Sequence, residues 1–219
     1  MVPPACLFDM DGTLIDSDGL ITLSWQKAHE SICPTIPWDG NRLKTLMGRP
    51  SMQVIEGLGI PARFRANYLQ EFRSYFNQHY KSQTKLFPSV EDNLGFLKEE
   101  LGLVLGVVTG ARESSAKEML SLFNIVDFFD IIVGADTTAR GKPHAEPVLH
   151  ALNSLQINKN RKAVPFIGDN INDLKAAHAA GIISVLYCPT YEKVPAGWLK
   201  LADHILYDFN EVKPLIERL

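Results

Sequence analysis

A chain of 219 residues, 46% hydrophobic and 21% charged, has the material for one large soluble core, or for a core carrying an inserted module. Its net charge of −3 offers no bulk attraction to nucleic acid or to an anionic membrane surface. No apolar run approaches the ~20 residues needed to span a bilayer, and Met1-Val2-Pro3-Pro4-Ala5 lacks the charged region and apolar core of a signal peptide.

In chain order, the first predicted element is an apolar strand through Leu7 and Phe8 that runs into Asp9-Met10-Asp11-Gly12-Thr13. Alternation along a strand points Asp9 and Asp11 to the same side, and Gly12 lets the backbone turn away. Two explanations fit at this point. Asp-Gly after an apolar run closes many strands as a simple turn. Paired carboxylates at a buried strand end also suit a metal site, or a nucleophile beside an acid/base.

Residues 17–83 read as helical almost throughout, punctuated by Pro34, Pro37, Pro50 and Pro61. Tyr68, Phe72, Tyr75 and Phe76 share one face of a long helix predicted over 67–80, a stripe expected to face a core. The segment reads as a helical module inserted after the first strand, joined by crossings near residues 15–18 and 82–88.

From residue 86 the pattern alternates between strands and helices. Apolar strands are predicted at 103–108, 130–133, 163–167 and 182–186, with a weaker one at 204–206. Helical spacing of Ala116, Met119, Leu120 and Phe123, then of Val148, Ala151, Leu152 and Leu155, fills two of the gaps. An alanine-rich helix over 174–180 ends at Gly181, where a C-terminal cap is expected. This alternation predicts an α/β fold with a doubly wound parallel sheet. Cys6, Cys33 and Cys188 form no CxxC pair and no zinc pattern, which suits reduced thiols in a cytoplasmic protein.

Polar residues gather at the predicted strand ends, where doubly wound sheets bind ligands. After the second long strand, Thr109-Gly110-Ala111-Arg112 offers a hydroxyl and main-chain amides at a helix start, equally an anion site or an ordinary cap. Lys142 precedes a proline, which biases it toward extended backbone at a helix entrance. It is either a solvated loop lysine or an ammonium aimed at a phosphoryl oxygen or a carboxylate. Gly168-Asp169-Asn170-Ile171-Asn172-Asp173 sets Asp169 and Asp173 four apart on a starting helix. Their repulsion calls for a cation, and Mg²⁺ accepts such carboxylates.

Together these motifs resemble the haloacid dehalogenase-like superfamily, in its subgroup with a helical cap after the first strand. The resemblance covers essentially the whole chain: DxDGT at Asp9 to Thr13, Thr109-Gly110, Lys142 in Gly-Lys-Pro, and GDxxxD at Gly168 to Asp173. It implies a catalytic core over 1–16 and 84–219 and a cap over 17–83. Asp9 would be the nucleophile and Asp11 the general acid and base. Thr109, Gly110 and Lys142 would hold the phosphate, and Lys142 would also hold Asp9. Mg²⁺ would sit on Asp9, the Asp11 main-chain carbonyl and Asp169, with Asp173 supporting it indirectly. Asn172 would reach the phosphate or orient Asp169. Arg49, in Met47-Gly48-Arg49-Pro50, would set substrate specificity. The presence of Asp11 implies phosphoryl transfer rather than dehalogenation. The expected activity is hydrolysis of a small phosphorylated metabolite, similar to phosphoglycolate phosphatases. A phosphosugar mutase resembling β-phosphoglucomutase, or a pyrophosphatase, stands as the alternative. The expected protein is a monomer or homodimer whose cap closes over substrate, hinging near 15–18 and 82–87.

Overall fold

β1 (Ala5–Phe8) is buried along its whole length, and its alternation feeds two separate cores: Cys6 and Phe8 face one side of the sheet, Ala5 and Leu7 the other. The computed structural model describes residues 3–157, 160–189 and 194–219; Met1 and Val2, part of the segment read as lacking a signal peptide, lie outside them. After β1 come β2 (Ile15–Asp16) and the helices α1 (Asp18–Ile32), α2 (Gly40–Lys44), α3 (Ser51–Gly57) and α4 (Ala62–Gln83). Then follow β3 (Lys85–Leu86), α5 (Val90–Gly95), β4 (Val104–Val108), α6 (Glu113–Leu122), β5 (Ile131–Val133) and α7 (Glu146–Ser154). The chain finishes with β6 (Pro165–Gly168), α8 (Ile171–Ala180), β7 (Ile183–Tyr187), α9 (Ala196–Leu199), β8 (His204–Leu206) and α10 (Val212–Arg218).

Six strands form a parallel sheet in the order β5-β4-β1-β6-β7-β8. This is the doubly wound α/β architecture that the strand–helix alternation predicts. Residues of α5, α6 and α10 cover one face, and those of α7 and α8 the other. The chain builds outward from β1 to β4 and β5, then returns to place β6 on the far side of β1. That reversal opens a crevice at the carboxyl end of β1, between β4 and β6.

Between β2 and β3 the chain is helical, with its own apolar cluster that includes Trp25, Leu43, Ile55 and Tyr68. Tyr68 donates to the Trp25 carbonyl (3.1 Å) and the two rings stack, which fastens α4 along α1. β2 and β3 pair antiparallel, Ile15 opposite Leu86 and Asp16 opposite Lys85, so both crossings lie side by side. Each is two residues long, too short for any periodicity to mark it in the sequence.

The aromatic stripe packs on apolar cores: Tyr68 is fully buried, Phe72 packs on the small helical core and stacks on Trp25 with ring centres 3.7 Å apart, and Tyr75 and Phe76 pack against the core of the sheet. Phe72 and Phe76 also line a cavity. Among the described residues no helix is long and apolar enough to cross a membrane.

The loops around the crevice approach closely. A Cβ on Gly134, just after β5, would lie 2.2 Å from the backbone nitrogen of Glu113 at the start of α6. Gly134→Ala is therefore expected to destabilise the fold by about 1–3 kcal/mol, with each kcal/mol lowering the melting temperature by roughly 2–4 °C. An unchanged transition in calorimetry would contradict this packing.

Candidate active site

Asp9, Thr109 and Asp169 each follow directly on β1, β4 and β6, three neighbouring strands, so the sheet delivers them to one crevice. Asp9 is 3% exposed. Its Oδ1 accepts from the Met10 N–H (2.7 Å) and from Lys142 Nζ (2.8 Å). No hydrogen bond from a described residue reaches its Oδ2. One oxygen is thus pinned and the other left available.

Asp11 lies beside it on the cavity wall, and Ser17 Oγ donates to its Oδ1 at 2.6 Å. Gly12 makes that approach possible at φ +78°, where a Cβ would also meet the Asp169 carboxylate at 2.6 Å. Thr13 Oγ1 donates to Asp169 Oδ1 (3.1 Å). The DGT turn therefore packs the β1 carboxylates against the β6 carboxylate.

Lys142 reaches this cluster from the loop after β5, preceded by Gly141 and joined to Pro143 by a cis peptide. Its ammonium contacts Asp9 Oδ1 (2.8 Å), Asp173 Oδ1 (2.7 Å) and the Val108 carbonyl (2.9 Å). Lys142 is 2% exposed, and its ion pairs tie Asp9 to Asp173.

Asp169 precedes the helix instead of lying on it: Asn170 is the cap of α8 and Asp173 sits in its first turn. Asp173 Oδ2 accepts from the Asn170 N–H (3.0 Å) and Oδ1 from Lys142, so this carboxylate completes a cap and an ion pair. Asn172, expected to reach the phosphate or orient Asp169, is buried beside Asn170. Its amide donates to the Met47 carbonyl (2.7 Å) and to Asn170 Oδ1 (3.0 Å), tying the loop after α2 to the core. Asn170 lines the cavity in its place.

That loop, Met47 to Pro50, rests on the core. A Cβ on Gly110 would meet the Gly48 and Arg49 carbonyls at 3.2 Å, and one on Gly141 would meet Pro50 at 2.5 Å. Arg49 lines the cavity, and its Nε is buried without a hydrogen-bond partner. Thr109, Gly110 and Ala111 form the neighbouring wall, with Thr109 Oγ1 accepting from the Ala111 N–H (3.1 Å). Sequence reasoning passed over Ser17, Thr13 and Asp18. Ser17 and Asp18 lie at the crossing into α1, where nothing in the linear pattern ties them to Asp11.

The electrostatics are lopsided. Burial, then the Asp173 charge, push the Asp9 carboxyl up to about 8 despite the pull of Lys142. Burial and the Asp18 charge raise Asp169 well above the carboxylate range. Burial raises Asp11 against the lowering bond from Ser17, and burial with Asp11 and Asp16 takes Asp18 to about 6. Burial would depress Lys142, but Asp173 and Asp9 outweigh it and push it up. One ammonium faces more buried carboxylates than it can balance. One oxygen from each of Asp9, Asp169 and Asp173 falls within 4.8 Å of the others. Since Asp173 is committed to Lys142 and Asn170, Asp9 and Asp169 are the carboxylates available to a hard dication. The donor set fits Mg²⁺.

The comparisons with known proteins agree with this architecture. Residues 6–187 match the haloacid dehalogenase-like hydrolase model. A protein provisionally named pyrophosphatase PpaX, from Caldanaerobacter subterraneus subsp. tengcongensis, is 34% identical over 188 residues, covering 83% of this chain and 80% of its own. A phosphoglycolate phosphatase from Salmonella typhimurium is 31% identical, with 95% and 90% covered. The crystal structure of a predicted phosphatase from Clostridium acetobutylicum superposes with a TM-score of 0.83 at 26% identity, covering both chains in full (100% each). The chain belongs to the haloacid dehalogenase-like hydrolases.

The raised carboxyls have a consequence for stability. Between an ordinary 3.8 and about 8 the folded chain holds a proton on Asp9 that the unfolded chain has released. Stability therefore falls as pH rises through that window. Without divalent cations, the calorimetric melting temperature is expected to drop from about pH 5 to about pH 8. Mg²⁺ at ~100 times its Kd adds about 2.7 kcal/mol, or roughly 5–10 °C at pH 8. A melting temperature that rises across this window and ignores Mg²⁺ would contradict the charge imbalance.

Proposed function

We propose that this chain is a Mg²⁺-dependent phosphatase that hydrolyses a phosphate monoester through an aspartyl-phosphate on Asp9. The single observation that carries the reading is the asymmetry of Asp9, with Oδ1 held by Lys142 and the Met10 amide and Oδ2 left available beside Asp11. That is the arrangement an in-line nucleophile needs.

Asp9 Oδ2 attacks phosphorus as the bond to the leaving oxygen breaks. Asp11, whose carboxyl burial pushes up and so makes a better proton donor, gives its proton to that oxygen. The leaving alcohol departs, and Asp11, now a carboxylate, takes a proton from water. The water oxygen attacks phosphorus, the acyl–phosphate bond breaks, and Asp9 returns to its carboxylate. The sum is one ester and one water converted to one alcohol and one inorganic phosphate. Ser17 orients Asp11 through both proton transfers. Thr109 and the Gly110 main chain face the equatorial oxygens, where fixed dipoles count most. Asp9, Asp169 and the Asp11 main-chain carbonyl would hold Mg²⁺, which lets an anionic nucleophile approach an anionic ester. Lys142 and Asp173 keep Asp9 in place.

The segment 17–83 is proposed as a cap that moves against the core of 1–16 and 84–219. The β2–β3 pair at the crossings and the cavity between the two parts support it. Arg49 would meet the substrate from the cap loop. A pyrophosphatase is the second reading, favoured by the relative of that name.

Asp9→Asn is expected to abolish phosphate release in the presence of Mg²⁺, tested on a panel of phosphate monoesters and pyrophosphate. Ser17→Ala is expected to lower kcat by about 10- to 100-fold, as small misplacements of a catalytic group do, with little change in KM. Full activity in Asp9→Asn, or a wild type inert toward the whole panel, would overturn the proposal.

A further inference from the structure

The cavity above Asp9 has a volume of about 430 Å³. That is within the ~300–1,000 Å³ of pockets that enclose ligands of drug size, and far more than a phosphoryl group with a two-carbon acid would fill. Its walls divide by chemistry. Asp9, Asp11, Asp169 and Thr109 form a polar floor. Above them stand the rings of Trp25, Phe72 and Phe76 with Met47 and Met119. Trp25 and Phe72 stack 14° from parallel, and Phe72 and Phe76 lie at 21°, so the rings form one apolar panel of which Trp25 is the buried member (2% exposed).

Two guanidiniums line the same space from different parts of the fold, Arg73 from α4 and Arg112 from the cap position of α6. Neither makes an ion pair or a hydrogen bond to a described side chain. Asp136 lines the same cavity, and its Oδ1 accepts from the Glu113 N–H (2.9 Å). Arg73 feels burial first and then the repulsion of Arg112, both lowering its pKa, and the attraction of Asp136 only partly offsets them. Two like charges brought together on a cavity wall are relieved by an anion between them.

We infer that the substrate's leaving group is an apolar body of ring size, seated on the Trp25–Phe72–Phe76 panel, that ends in a second anionic group held by Arg73 and Arg112. The inference rests on the phosphatase reading and specifies its substrate class. Glycolate would leave the panel bare.

The test compares kcat/KM for four substrates with the wild-type chain and Mg²⁺: carboxybenzyl phosphate, benzyl phosphate, phosphoglycolate and pyrophosphate. Carboxybenzyl phosphate is expected to lead benzyl phosphate by about tenfold, from the charged contact. It is expected to lead phosphoglycolate by about tenfold or more, from the apolar contact. Arg73→Ala is expected to raise KM for carboxybenzyl phosphate about tenfold more than for benzyl phosphate, with Arg73→Lys restoring part of the difference. Phosphoglycolate or pyrophosphate turned over better than both benzyl esters overturns this inference and leaves the phosphatase reading standing. Equal effects of Arg73→Ala on the two benzyl esters overturn the distal anion site. Hydrolysis of none of the four overturns both, and the wild-type ranking decides by itself if the variants do not fold.

Discussion

One buried ammonium holds this active centre together. Lys142 Nζ joins Asp9 on β1, Asp173 on α8 and the Val108 carbonyl at the end of β4. Charges so deeply buried are costly unless paired and fully hydrogen-bonded. The carboxylates therefore demand the lysine, and the lysine demands all three acceptors. The loop after β5 must cross behind β1 to deliver it. That crossing brings Gly141 against Pro50, and with it the loop after α2 onto the sheet's crevice.

The same constraint separates what is fixed from what is left open. Asp9 Oδ1 is immobilised while Oδ2 accepts no hydrogen bond from a described residue, and Ser17 fixes Asp11 Oδ1 in the same way. Among the described residues only Thr13 donates a hydrogen bond to the Asp169 carboxylate. What remains after Lys142 is paired is an excess of carboxylate, and the electrostatic reason for a dication lies in that excess. The helical segment adds rings, methionines and arginines to the cavity wall above these carboxylates.

Much of the fold was legible because β–α alternation leaves a strong trace: valine-rich strands, periodic helices and a glycine cap at Gly181. The proposed catalytic set was legible because Asp9, Thr109 and Asp169 sit immediately after predicted strands. Contacts between distant segments were not. The place of Lys142 among Asp9, Asp173 and the Val108 carbonyl joins segments far apart in the chain, which no local spacing encodes. The bond from the Asn172 amide to the Met47 carbonyl is of the same kind. The stripe of Tyr68, Phe72 and Phe76 has one helical period but packs on two different cores, which periodicity does not distinguish. Ser17 carried no signal, since its partner Asp11 lies across a turn created by Gly12.

The central claim is that Asp9 becomes covalently phosphorylated. Acid quenching during turnover of a radiolabelled ester with Mg²⁺, followed by borohydride reduction, tests it directly, because an acyl phosphate on aspartate is reduced to homoserine. The account predicts label that reaches the protein before free phosphate accumulates, and homoserine at position 9. Turnover with no labelled protein, or reduction at any other carboxylate, would contradict it.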